Sequence, residues 1–217
     1  MNASNDYAFT IDKQEMRQSF DAVADGYEEH AVLQNTVMQR VLERLDLINL
    51  QVKHILDLGS GTGTASRLLA QRYHKAQVIQ LDVSTAMLRI SRAHGPRFFS
   101  RQGYLCADAE TLPVAGSAVD LVFSSLMLQW CNDLDAAFAE AARVLRPGGL
   151  LIFATLGPDT LRELRASWAG ADNKVHVNAF MDMHDVGDAL IRAGLADPVL
   201  DIERLTLTYD DGYRLMR

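Results

Sequence analysis

Three aspartates, Asp57, Asp82 and Asp108, stand at or next to the ends of short apolar runs, "HILDL", "VIQLD" and "GYLCAD". The first is followed at once by glycines at 59, 61 and 63. Glycine gives up side-chain contacts, so such a cluster marks a turn that needs unusual φ values or a ligand that must approach the backbone closely. A helix beginning just after it would add unpaired N–H groups. A dinucleotide pattern G-x-G-x-x-G would need Gly at 64, where Thr64 stands, so a pyrophosphate cradle is disfavoured. Asp57, two residues before Gly59, would instead repel phosphate and attract a cation. Asp82 occupies the position from which a carboxylate takes both hydroxyls of a ribose. Acids at strand ends often only cap turns, but three of them beside the glycines suit a nucleoside that carries an amino acid and a positive centre.

These residues need a frame that brings strand ends together. Strand and helix signals alternate: "KHILDL", a helix from about Thr64 to Arg72, "AQVIQLD", a helix from about Thr85 to Ala93, "GYLCAD", "VDLVFSSL", a helix from about Leu134 to Val144, and "GLLIFATL". Strands apolar on both faces that alternate with helices predict βαβ units and a parallel sheet. Asp133 is placed to cap the third of these helices, and "RPGG", Arg146 to Gly149, to stop it and re-enter the sheet. Ahead of the frame, Phe20, Val23, Ala24, Tyr27, Ala31, Val37, Val41 and Leu45 recur at helical spacing. Behind it, "GPDTLRELRASW" and "DMHDVGDALIRAG" read as helices, and "VLDIERLTLTY" as an alternating strand at a sheet edge.

The 217 residues, 48% of them hydrophobic, suit one domain with a substantial core. A net charge of −7 without a Lys/Arg run argues against generic nucleic-acid binding. No stretch is long and apolar enough for a membrane span, and the start has no apolar signal core, so a cytoplasmic monomer is expected. Cys106 and Cys131 lack metal-ligand or C-x-x-C spacing and suit buried thiols in a reducing compartment. "DMHD" with His176 nearby matches no ligand pattern, so no metal is expected.

The segments "DLGSGTG", "LDVS", "CADAETLP" and "LRPGG", within about Lys53 to Leu156, resemble those of the class I S-adenosylmethionine-dependent methyltransferases. That resemblance implies a three-layer Rossmann-like α/β sheet, mostly parallel, and S-adenosylmethionine as cofactor. It implies that Gly59 and Gly61 flank the amino-acid part, that Asp82 holds the ribose, that Asp108 contacts the adenine amine and that Met87 packs on the base. Asp57, Ser60, Ala109 and Ser124 are carried over as further cofactor-binding positions. The family's sheet has seven strands, whereas six are counted here, so its C-terminal strand is expected to be missing. On this reading there is one domain over 1–217: N-terminal helices over about 12–46, a cofactor core over about 52–156, and a lid and C-terminal part over about 157–217 that is cut short within "DDGYRLMR".

"FDAVADGYEEHAVLQ", "SSLMLQWC", "LGPDTLRELRASW" and "HVNAFMDMHDVGDALIRAGLADPV" look like the malonyl-acyl-carrier-protein methyltransferase family of biotin synthesis, which esterifies the free carboxylate of a malonyl thioester. The implied partner is malonyl-loaded acyl carrier protein. A malonyl carboxylate is ionised at pH 7, since carboxyl groups titrate near ~4, so no general base is needed; alignment and water exclusion would supply most of the rate. Tyr27 and Trp130 are candidates for an aromatic wall over the methyl group, with core packing as the plain alternative for each. Gln34 and His30 lie further along the same face and could line the substrate mouth. Arg162 with Arg165, or Arg40 with Arg44, could form a basic dock for an acidic carrier protein, or simply pair with Glu163 and Glu43. The same fold would also serve a protein-arginine-modifying or respiratory-complex assembly factor, a methyltransferase of another small carboxylic acid, or a non-catalytic cofactor-binding module.

Overall fold

A computed structural model describes residues 10–96, 100–171 and 176–211. Its centre is a sheet of five strands: β1 (His54–Leu58), β2 (Gln77–Asp82), β3 (Gln102–Cys106), β4 (Val119–Ser125) and β5 (Leu145–Ala154), in the order β3-β2-β1-β4-β5. Every pair is parallel. The chain winds outward from β1 in both directions, so the strand order reverses between β1 and β4, and the carboxyl ends there open a crevice.

Eight α-helices are described: α1 (Lys13–Val23), α2 (Tyr27–His30), α3 (Val32–Arg44), α4 (Thr64–Arg72), α5 (Thr85–His94), α6 (Leu134–Val144), α7 (Arg162–Ala169) and α8 (Met183–Arg192). β1 shows why three layers form. Ile55 packs with Met38, Leu42 and Leu69 of α3 and α4, while Leu56 and Leu58 pack with Ala141 and Val144 of α6 on the other face. All three β1 side chains are essentially fully buried, each removal from water contributing about 1.5–3 kcal/mol. A third cluster, around Phe138, Val186 and Leu190, seats α8 on α6.

Local chemistry sets the helix starts. The side chains of Asp12, Ser84, Asp133 and Asp182 accept backbone N–H bonds and cap α1, α5, α6 and α8. By contrast, α4 begins from Gly63 at φ +81° with no side-chain cap. The N-terminal helical pattern is delivered in three pieces, broken by a 3₁₀ turn at Ala24–Gly26 and by Ala31.

Two expectations are corrected. "RPGG" does not precede the fifth strand but lies inside it: Val119 pairs with Leu145, and Leu121 already with Leu150, so Arg146–Gly149 bulge out of the ladder, Gly148 at φ +77°. Asp120 anchors the bulge, accepting from the Lys53 and His54 N–H groups at 2.8 Å each and from Arg146 Nη1 at 2.7 Å. Second, "VLDIERLTLTY" forms no strand. Residues 199–209 run without ladder partners, Val199 and Ile202 facing solvent, and ion pairs hold the segment: Arg40 to Glu203, Arg44 to Asp201, and Arg204 to Asp159. Alternating polarity suits a strand but does not provide a neighbour to pair with. "DDGYRLMR" lies largely outside the described residues.

Gly63 carries both a conformational and a steric demand, because a Cβ there would run into Ser91 and Gln80 beneath the loop. Gly63→Ala is expected to destabilise the protein by about 2–4 kcal/mol, a drop in melting temperature on the order of 10 °C. Gly61→Ala, at φ +53° but facing open space, should lose only the backbone part. Thermal melts of the two variants side by side check the difference; equal losses would refute the steric argument.

Candidate active site

The loop from Gly59 to Gly63 crosses the end of β1 with all three of its glycines at positive φ. The Gly59 and Ser60 N–H groups donate to Leu81 O at 2.8 and 3.0 Å, and Gly61 N–H donates to Asp82 Oδ2 at 2.8 Å. The other Asp82 oxygen accepts from Ser84 N–H at 2.8 Å. Both oxygens thus keep capacity for another donor, and both are fixed in direction by backbone. Burial holds the Asp82 carboxyl above its ordinary range.

Asp57 lies beneath this loop, 1% exposed, and accepts from Ser66 Oγ at 2.5 Å. Burial pushes its carboxyl up to about 7, and the nearby Asp82 adds to the shift despite the Ser66 bond. An acid so placed is short of a positive partner. Two hydroxyls are likewise unmatched: among the described residues, Ser60 Oγ and Ser125 Oγ are buried with no hydrogen-bond partner. Both line one cleft with Tyr27, Gln34, Asp57 and Gly61. Among the described residues, no Lys, Arg or His lines it.

A second cleft, of about 650 Å³, opens between α1 and the ends of β2 and β3, lined in part by Lys13, Arg17, Val83, Cys106 and Asp108. Asp108 lies here, but its carboxylate is engaged by Lys13 Nζ at 3.2 Å and by Glu110 N–H at 3.1 Å. Met87 is buried in the first turn of α5, Ala109 is buried beside the strand ends, and Ser124 Oγ donates to Leu58 O at 3.0 Å. Gly61, which donates to Asp82, lines the first cleft, and Val83, next to Asp82, lines the second; together they suit a ligand with two unlike ends, and the donors and acceptors present fit S-adenosylmethionine: a buried acid and the Ser60 hydroxyl on one side, an adenosine-sized space on the other.

The N-terminal helices close over this crevice through polar ties that the sequence did not reveal. Glu28 Oε1 accepts from Thr62 Oγ1 at 2.7 Å, Arg67 Nη2 at 3.0 Å and Thr64 Oγ1 at 3.2 Å. Burial alone would raise the Glu28 carboxyl, but these bonds hold it below its usual range. Asp21 similarly accepts from Ser84 Oγ and the Ala86 N–H. Tyr27, next to Glu28, is thereby set at the glycine loop; burial, then the Asp82 charge, raises its phenol. Trp130 stands edge-on to Phe20 of α1, centroids 5.3 Å apart. His30 is exposed and turned back on Gly26 O at 3.1 Å. Hence Tyr27 and Gln34 share the cleft with Asp57 and the glycines, while Trp130 packs under the covering helix.

Away from the crevice, Asp182 accepts the His184 N–H and side chain, and His176 stacks on Trp168 at 3.9 Å. No group of three metal-ligating side chains occurs among the described residues.

Residues 56–153 match the model of a family described as "Methyltransferase domain". A malonyl-[acyl-carrier protein] O-methyltransferase of Gallionella capsiferriformans (strain ES-2) is 52% identical over 208 residues, covering 94% of this chain and 72% of that one. The protein so named from Laribacter hongkongensis (strain HLHK9) is 53% identical over 217 residues, covering 97% and 73%. Among solved structures, an S-adenosylmethionine-dependent methyltransferase from Mesorhizobium loti is similar at 27% identity and TM-score 0.60, covering 74% of this chain and 82% of that one.

Proposed function

The chain belongs to the malonyl-[acyl-carrier protein] O-methyltransferase family, and from that premise we propose that it transfers the methyl group of S-adenosylmethionine to the free carboxylate of a malonyl thioester on acyl carrier protein, an early step towards pimelate in biotin synthesis. The observation that carries the reading is the composition of the cleft. It offers a buried acid for a cation and neutral donors for an anion, and its acids are already engaged, Asp57 by Ser66 and Glu28 by Thr62 and Arg67. That is suitable for a nucleophile that arrives ionised and needs no base.

S-adenosylmethionine supplies an electrophilic methyl group on a sulfonium. Asp57 and the glycine loop would hold the amino-acid end, Asp82 would accept from the ribose hydroxyls, and Asp108 with Ala109 beside it would border the adenine. Tyr27, held down through Glu28, covers the reacting atoms, with Gln34 beside it. The protein's part is alignment in a space closed to water, for which effective molarities of about 10⁵–10⁸ M are attainable.

The relatives are named for methylating a carrier-bound malonyl group, which does not favour an arginine-modifying or assembly role. Cys106 is exposed and Cys131 half-buried, so the expected burial holds for neither in full, but as free thiols both suit a reducing cytoplasm, and among the described residues no helix is long and apolar enough to cross a membrane. Mass spectrometry of malonyl-loaded carrier protein incubated with this protein and S-adenosylmethionine tests the proposal: one methyl gained on the malonyl group supports it, and an unmodified substrate with intact cofactor binding refutes it.

For docking the carrier, α7 is favoured over α3, since Arg40 and Arg44 are occupied by Glu203 and Asp201. Arg165 donates to the Pro158 and Thr160 carbonyls, whereas Arg162 is exposed and, among the described residues, pairs with the neighbouring Glu163. Arg162→Glu is expected to raise KM for the carrier-bound substrate about threefold to tenfold at low salt, less at high salt, and to leave a short malonyl thioester unaffected. Equal effects on both substrates would remove Arg162 from docking.

A further inference from the structure

Two adjacent serines end β4, and the fold uses them differently. Ser124 Oγ donates to Leu58 O at 3.0 Å and so ties β4 to the end of β1. Ser125 Oγ is buried, has no hydrogen-bond partner among the described residues, and belongs to the wall of the cleft that holds Asp57, Gly61 and Tyr27. A buried hydroxyl without a partner is destabilising, and a bound acceptor would relieve that.

We infer that Ser125 is a substrate-positioning residue, whose hydroxyl donates to the non-attacking oxygen of the malonyl carboxylate. The inference rests on the proposed reaction and adds the group that orients its nucleophile. In that reaction the attacking oxygen forms a bond to the methyl carbon as the methyl–sulfur bond breaks. The electron pair stays on sulfur, the carboxylate becomes a neutral ester, and no proton moves. The carboxylate therefore loses charge on the way to the transition state. An Arg or Lys partner would stabilise the ionised ground state more than the transition state and slow the transfer. Among the described residues that line the cleft there is no such cation, and Arg67, which reaches three of the lining residues, spends its guanidinium on Glu28, Thr62 and Thr64. A single neutral hydroxyl fixes the carboxylate plane and leaves the second oxygen free to attack. Ser60, the other unmatched hydroxyl, sits between the cofactor-loop glycines and belongs with the cofactor's amino-acid end.

The test uses the full chain and two ligands measured separately. Calorimetry first compares S-adenosylmethionine binding by the parent, Ser125→Ala and Ser60→Ala; then a malonyl thioester is titrated into each protein loaded with S-adenosylhomocysteine. Ser125→Ala should bind the cofactor within about twofold of the parent, bind the malonyl thioester about tenfold more weakly, and show a matching rise in KM. Ser125→Thr, which keeps the hydroxyl, should recover much of the loss. Ser60→Ala should show the opposite split, weaker for the cofactor. Loss of cofactor binding in Ser125→Ala, or unchanged malonyl binding, overturns the assignment. If the parent itself binds no malonyl thioester, the reaction proposed above fails instead.

Discussion

Asp57→Asn is expected to melt at a higher temperature than the parent at pH 8 and yet to bind S-adenosylmethionine at least tenfold more weakly. Asp57 is buried in the crevice floor, with a pKa raised from 3.8 to about 7 in the fold. Between those values the folded chain holds a proton that the unfolded chain has lost. Stability therefore falls as pH rises through about 4 to 7, by at most about 4 kcal/mol, and is lowest above pH 7. Asparagine removes the buried charge and can still accept from Ser66 Oγ, so the variant should lose this pH dependence and gain several degrees at pH 8. The parent's affinity for the cationic cofactor should rise with pH up to about 7 and then level off, with proton release on binding below that point. Melts across pH 5–8 with calorimetry in buffers of different ionisation enthalpy measure both effects. A variant that melts below the parent at pH 8, or binds the cofactor equally well, would contradict the role assigned to this acid.

Asp82→Ala should weaken cofactor binding about 100-fold or more, against about tenfold for Asp108→Ala. The two acids look equivalent in the sequence, but their surroundings differ. Asp82 presents two oxygens, each aimed by one backbone N–H, from Gly61 and Ser84. Its removal leaves two ribose hydroxyls and those two N–H groups without an acceptor, at about 1.5–3 kcal/mol for each charge-assisted bond. Asp108 shares its carboxylate with Lys13 of the covering helix, so an adenine amine gains less from it. Titration of the two variants with S-adenosylmethionine decides the ranking; parent-like binding by both would sink the placement of the cofactor.

How much of this was legible without coordinates follows from the range of each interaction. Parallel strands buried on both faces and helices with one apolar stripe write their periods into consecutive residues. The alternation from β1 to β5, the Asp133 cap and the glycine loop were therefore readable, and with them the meeting of Asp57, Asp82 and Asp108 at one sheet edge. The bulge in β5 was not, because "RPGG" is a stop signal in isolation and becomes part of a strand only when Asp120 and Arg146 hold it there.

Partners far apart in sequence were decided by tertiary structure alone. Glu28 reads as one of two glutamates on a short helix until the fold brings Thr62, Thr64 and Arg67 to it. Lys13 meets Asp108 across 95 residues. Arg40 and Arg44 find Glu203 and Asp201 rather than Glu43, and the segment carrying those acids, patterned like a strand, stays unpaired. Of two neighbouring serines, only packing determines which ties strands together and which is left buried beside an open cleft. Side-chain period and backbone conformation are local properties and survive in a one-dimensional string; the pairing of charges and the matching of buried donors depend on which surfaces meet, and that is set only once the sheet has closed.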